Sequence, residues 1–216
     1  VITYSAAISA CEKGGRWHEA LGFFLDLRRR ILEPNVITFS ACMSACAKGG
    51  RWHEALGFFS DMQLRSVQPN VISFNAALNA CEKGGRWHEA LGMFCDMRLR
   101  ILGPDVVTFN AIIGACGCGS LWQEALSLFW DMERRVLEPD DMIFTAAINA
   151  CDKGSQWQVG VDIFAGMQPL LMMPSVTTFN ACISACKAGG HWRAAVGMVS
   201  DMQQRRLAPD VVTCNS

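Results

Sequence analysis

Residues Val71–Asp105, VISFNAALNACEKGGRWHEALGMFCDMRLRILGPD, give the key to the whole chain. With Val71 as position 1 and Asp105 as position 35, apolar Val71, Phe74, Leu78 and Cys81 fall at positions 1, 4, 8 and 11. That spacing puts one stripe on a helix over positions 1–13. Ala76 and Ala80 (positions 6 and 10) favour helix and leave room for a close neighbour. Gly84 is expected to end this helix as a left-handed C-terminal cap. A second helix is predicted from about position 16 to 29, with Trp87, Ala90, Leu91, Phe94 and Met97 on its buried side. Pro104 stops it, and Asp105 suits the N-cap of whatever helix follows.

The same pattern extends in both directions. Trp17, Trp52, Trp87, Trp122, Trp157 and Trp192 are 35 residues apart, and Pro34, Pro69, Pro104, Pro139, Pro174 and Pro209 keep the same step. A fixed period of this length marks a repeat architecture. The units are 1–35, 36–70, 71–105, 106–140, 141–175 and 176–210, and 211–216 (VVTCNS) reads as the start of a seventh. No unit can bury its stripe alone, so stacking must do it. The expected fold is all-α: a tetratricopeptide-like α-solenoid of six stacked helix–turn–helix repeats.

Composition agrees with a folded chain. Of 216 residues, 51% are hydrophobic and 18% charged, which excludes disorder. No apolar run is long enough to cross a bilayer, and no secretory signal opens the sequence. The pattern begins and stops mid-unit, so the chain reads as a piece of a longer array, with any targeting segment outside it. The net charge of −1 rules out a partner held by bulk electrostatics alone. Of eleven cysteines, six (Cys11, Cys46, Cys81, Cys116, Cys151 and Cys186) share position 11 on the buried stripe, where a free thiol acts as a small hydrophobe. Cys42 with Cys46, and Cys182 with Cys186, have i, i+4 spacing but no matching second pair, so no metal site and no cofactor are expected. Many unpaired thiols fit a reducing compartment.

The aromatic–Asn of Phe74–Asn75, the Lys-Gly-Gly of Lys83–Gly85, the Glu-Ala-Leu of Glu89–Leu91, Phe94, the Asp-Met of Asp96–Met97 and the Pro-Asp of Pro104–Asp105 together resemble the pentatricopeptide repeat consensus of P-type, 35-residue units. The resemblance covers the chain and recurs six times. It implies a right-handed superhelix with the first helices on the concave face. It also implies binding of single-stranded RNA in a chloroplast or mitochondrion, in processing, stability, editing or translation.

Repeat proteins can read single-stranded RNA one base per unit. Position 2 is Ile2, Ile37, Ile72, Val107, Met142 and Thr177. The resemblance makes these residues sandwich the bases; the plain alternative is core packing at a helix start. Position 5 is Ser5, Ser40, Asn75, Asn110, Thr145 and Asn180. Each follows an aromatic that must be buried, and an amide there can both donate and accept toward a base edge. The alternative is ordinary solvated polarity, which restriction to Ser, Thr and Asn weakens. Position 9, one turn on, is Ser9, Ser44, Asn79, Gly114, Asn149 and Ser184. Position 35 completes the reading pair as Asn35, Asn70, Asp105, Asp140, Ser175 and Asp210; N-capping accounts for each of these equally well. Lys13, Lys48, Lys83 and Lys153 at position 13 fall near the phosphates by resemblance, and each also suits a helix C-terminus.

Carried over unit by unit, the family's pairing rules assign adenine to Ser5/Asn35 and Ser40/Asn70, and uracil to Asn75/Asp105, Asn110/Asp140 and Asn180/Asp210. Thr145/Ser175 has no assignment, so the site reads A-A-U-U-N-U. Unit five departs furthest: Asp141 replaces valine, Gly160 and Gly166 weaken its second helix, and Pro169 should end that helix early. His18, His53 and His88 at position 18 recur with no acid or nucleophile partner, so no catalytic constellation is expected. A competing reading is a scaffold for protein partners, which the charge balance favours.

Overall fold

The computed structural model describes residues 1–135, 137–210 and 213. Among the described residues there are twelve α-helices and no strand. They are α1 (Ile2–Lys13), α2 (Trp17–Arg29), α3 (Val36–Lys48), α4 (Trp52–Leu64), α5 (Val71–Lys83), α6 (Trp87–Leu99), α7 (Val106–Cys118), α8 (Trp122–Arg134), α9 (Asp141–Lys153), α10 (Trp157–Gly166), α11 (Val176–Ala188) and α12 (Trp192–Gln204). The all-α class of paired helices is thus as the periodicity predicts. Two compact bodies are formed, Val1–Ala115 and Cys116–Ser216. No described helix is long and apolar enough to cross a membrane.

Within each body the same contact joins one helix pair to the next. The phenylalanine at position 24 packs on the aromatic at position 4 of the following unit. In the N-terminal body Phe24 meets Phe39 at 5.5 Å between ring centroids, Phe59 meets Phe74 at 5.1 Å and Phe94 meets Phe109 at 5.7 Å. In the C-terminal body Phe129–Phe144 and Phe164–Phe179 repeat it at 5.4 and 4.9 Å. These tilted and edge-on pairs contribute beyond the area they bury. The position 11 thiols of Cys46, Cys81, Cys116, Cys151 and Cys186 are fully buried beside them.

Two expectations need correction. The glycine at position 14 is not the left-handed residue: Gly14, Gly49 and Gly84 have φ of −81°, −82° and −89°. The left-handed residue is at position 15, as Gly15, Gly50, Gly85 and Gly190, and Ser120 and Ser155 adopt it too. Position 14 is glycine for another reason. A Cβ on Gly49, Gly84, Gly154 or Gly189 would fall less than 3.0 Å from the indole of Trp17, Trp52, Trp122 or Trp157 respectively. The second correction concerns those tryptophans. They are half-buried, not deeply enclosed, and Trp192 is 65% exposed. The ring lies at the edge of the stack, against the next unit's glycine and beneath its arginine: Arg51 stands 5.1 Å over Trp17 and Arg86 4.9 Å over Trp52.

Unit five departs as its sequence implies. Helix α10 has only 10 residues and stops at Gly166, before Pro169. Asp141 has a use that its position as a valine substitute hid: its carboxylate accepts from Thr178 Oγ and, at 3.3 Å, from the Ser175 amide. The expected start of a seventh unit at 211–216 lies outside the described residues except for Thr213.

Candidate nucleic-acid interface

A helix of this design exposes what its core stripe leaves out. Position 1 faces the neighbouring helix, so position 2 points away. Ile37, Ile72 and Val107 are accordingly 62%, 66% and 57% exposed, and Ile2, Met142 and Thr177 are exposed as well. Core packing is therefore not what aliphatic residues do at this position. In the N-terminal body they line a groove of about 490 Å³, whose walls also hold Ser9, Ser44 and Asn79 (position 9) and Ser40 and Asn75 (position 5). Asn70 and Asp105 (position 35) complete it. Four sets of residues picked from the sequence thus share one surface.

Position 5 lies at the floor of this arrangement. Ser5, Ser40 and Asn180 are buried, and Asn75, Asn110 and Thr145 are half-buried, so these are not freely solvated side chains. Position 35 is an N-cap throughout the described pairs. The side chains of Asn35, Asn70, Asp105, Asp140, Ser175 and Asp210 accept from the backbone N–H three residues on. Capping leaves room for a second role. Asn75 Nδ2 donates to Asp105 at 3.0 Å, and Asn180 Nδ2 donates to Asp210 at 3.0 Å.

A residue that the sequence reading passed over ties these pairs together. Thr108 Oγ1 donates to Asn75 Oδ1 at 2.6 Å and lies 2.8 Å from Asp105 Oδ1. Thr213 does the same for Asn180 and Asp210, at 2.6 and 2.9 Å. Both occupy position 3 of the unit after the pair. The available signal was the recurrence of threonine there, in Thr3, Thr38, Thr108, Thr178 and Thr213. The amide is then fixed: its carbonyl faces threonine and its NH2 faces aspartate. A primary amide has two N–H donors and two carbonyl lone pairs, so one of each is left over when the other Asn75 N–H is shared between the two Asp105 oxygens, at 3.0 and 3.2 Å.

Position 12 was also missed. Glu12 accepts from Ser44 Oγ at 2.9 Å and pairs with Lys48, and Asp152 accepts from Ser184 Oγ at 2.9 Å. Burial pushes the Glu12 carboxyl up, but the bonds from Lys48 and Ser44 outweigh it and hold it below the usual carboxylate range. Glu82 shifts the other way, raised by burial. Of the four position 13 lysines, all exposed at helix C-termini, Lys48 is thus bound to a carboxylate on the groove wall. His18, His53 and His88 stack on Trp17, Trp52 and Trp87, on the second helices. Burial raises the thiols of Cys46, Cys81 and Cys182 to about 12 and Cys42 higher still, so they stay protonated and apolar at neutral pH.

Comparison with solved structures places this geometry among known folds. The pentatricopeptide repeat protein PPR10 from maize superposes with a TM-score of 0.73 at 24% identity, over 97% of this chain and 30% of that one. The same protein in complex with an 18-nt psaJ RNA element gives 0.59 at 22% identity, over 97% and 34%. The PPR domain of Arabidopsis thaliana protein-only RNase P 1, in complex with tRNA, gives 0.69 at 14%, over 84% and 96%. The chain therefore spans about a third of the maize protein. No curated protein matches its sequence. The model of the PPR repeat family matches residues 1–48, 41–83, 69–118, 104–153 and 174–216, leaving out 154–173, where unit five is most altered. With most of its length matched, the chain belongs to the PPR repeat family.

Proposed function

We propose that the chain binds single-stranded RNA sequence-specifically, one base per unit, through the side chains at positions 5 and 35. The observation that carries this is the fixed amide of Asn75. With one N–H given to Asp105 and its carbonyl held by Thr108, it keeps one donor and one acceptor side by side. Uracil offers the complement, a carbonyl next to a ring N–H. Ile72 and Val107 stand exposed in the same groove, where a base can lie between aliphatic surfaces. Position 13 lysines contribute phosphate contacts from Lys13, Lys83 and Lys153, and Lys48 only when it leaves Glu12. The site reads A-A-U-U-N-U from the 5′ end. Organellar transcripts are the substrate class that the family suggests, in a chloroplast or mitochondrion, with no catalytic step and no cofactor in this stretch.

One observation favours the scaffold for protein partners: Glu12 lines the groove, in a chain of net charge −1, and repels phosphates. Binding decides between them. Fluorescently labelled 5′-AAUUAU-3′ RNA is expected to bind at least tenfold more tightly than a GGCCGC RNA or the DNA of matching sequence. Equal affinity for all three, or none, would reject the RNA reading and favour the scaffold.

A further inference from the structure

Units one and two carry the same pair, Ser5 with Asn35 and Ser40 with Asn70. Their serines nevertheless sit differently. Ser5 Oγ lies 2.8 Å from Thr38 Oγ1 and 3.2 Å from the Val1 carbonyl, and Thr38 in turn donates to Asn35 Oδ1 at 2.9 Å. Ser40 Oγ is buried with no hydrogen-bond partner, in a residue only 6% exposed. The difference traces to position 3 of the following unit. Unit one is followed by Thr38, unit two by Ser73. The Ser73 hydroxyl bonds only within its own cap, accepting from the Asn70 amide at 2.8 Å and lying 2.8 Å from Asn70 Oδ1, whereas Thr108 and Thr213 make the same cap contacts and reach position 5 as well. Where threonine stands at this position, the contact with position 5 is made: Thr108 on Asn75, Thr178 on Thr145 at 2.9 Å, and Thr213 on Asn180.

We infer that the residue at position 3 of the following unit is a third determinant of recognition, because it decides whether the position 5 group is held or released. This rests on the RNA reading above. A buried hydroxyl without a partner is costly, and a ligand that satisfies it recovers that cost. Ser40 already lines the groove. Rotation about its Cα–Cβ bond turns the hydroxyl toward a ligand and forfeits no existing bond. The same rotation at Ser5 gives up its contacts with Thr38 and Val1. Unit two therefore depends on its serine for ligand affinity more than unit one does. Ser73 is a positioning residue in this scheme: it acts by leaving Ser40 unheld.

The test uses the labelled AAUUAU RNA and thermal melting of the whole chain. Ser40→Ala is expected to weaken binding at least fivefold while leaving the melting temperature unchanged or higher, since it deletes an unsatisfied group. Ser5→Ala is expected to lower the melting temperature and to weaken binding by less than half the factor seen for Ser40→Ala. Ser73→Thr keeps Ser40 but holds it, so it should weaken binding about as much as Ser40→Ala, with no further loss when the two are combined. Equal losses for the two serine variants, or an unchanged affinity for Ser73→Thr, would overturn the inference while leaving RNA binding intact. If Ser73→Thr does not fold, the contrast between the two alanine variants decides. Failure of the unsubstituted chain to bind this RNA would overturn the RNA reading, and the inference with it.

Discussion

At the residue scale, a single glycine separates two physical demands that look alike in sequence. Gly49 and Gly50 are adjacent, yet only Gly50, with φ +69°, needs the left-handed region. Gly49 is required because the Trp17 indole rests where a side chain would be. Gly14 holds the same position in unit one, but a Cβ there meets nothing closer than 3.5 Å. Gly49→Ala is therefore expected to destabilise the chain by about 1–3 kcal/mol, the usual range for overpacking. Gly14→Ala should shift stability by no more than about 0.5 kcal/mol in either direction, as for a surface change. Denaturant unfolding of the two variants checks this. Equal effects would mean that backbone conformation, not the tryptophan, sets the requirement.

At the element scale, unit five shows how a helix tolerates poor residues. Gly160 occupies the position where other units have Ala20, Ala55, Ala90 and Ala125, and it is buried. The nearest atoms to an added Cβ would be Cys151 Cβ at 3.5 Å and Ala185 Cβ at 3.7 Å, ordinary contact distances. Gly160→Ala should thus fit without strain and stabilise by about 0.5–1 kcal/mol through helix propensity. A lower melting temperature would show that the site is closed to a methyl group. The helices were legible in the sequence because their stripes, prolines and caps each report local chemistry: Phe39, Pro34 and Asn35 are read without knowing any neighbour. What was hidden depends on the next unit. Thr108 looks like a helix-start residue until Asn75 is seen 33 positions earlier, and Glu12 looks like surface until Ser44 and Lys48 reach it. The exposure of Ile37 and Ile72 was likewise open, since an aliphatic side chain fits a core or a groove equally well.

At the scale of the whole molecule, 19 basic and 20 acidic residues leave no general pull on a polyanion. Any selectivity must come from short-range hydrogen bonds, unit by unit, and Asn75/Asp105 is the pair whose geometry is most fully determined. Substituting Asp105→Asn preserves the cap, because an asparagine oxygen still accepts from Thr108, as Asn35 does from Thr38. It changes one acceptor to a donor at the edge of the reading pair. The family's rules assign the resulting combination to cytosine. The decisive measurement is the affinity of both proteins for four RNAs that differ only at the third base of AAUUAU. Preference there is expected to move from uracil to cytosine by about tenfold or more, the lower range for one discriminating contact pair, while the preferences at the other bases stay as they were. An unmoved preference, or one that shifts at several bases together, would contradict one-unit-one-base reading by this chain.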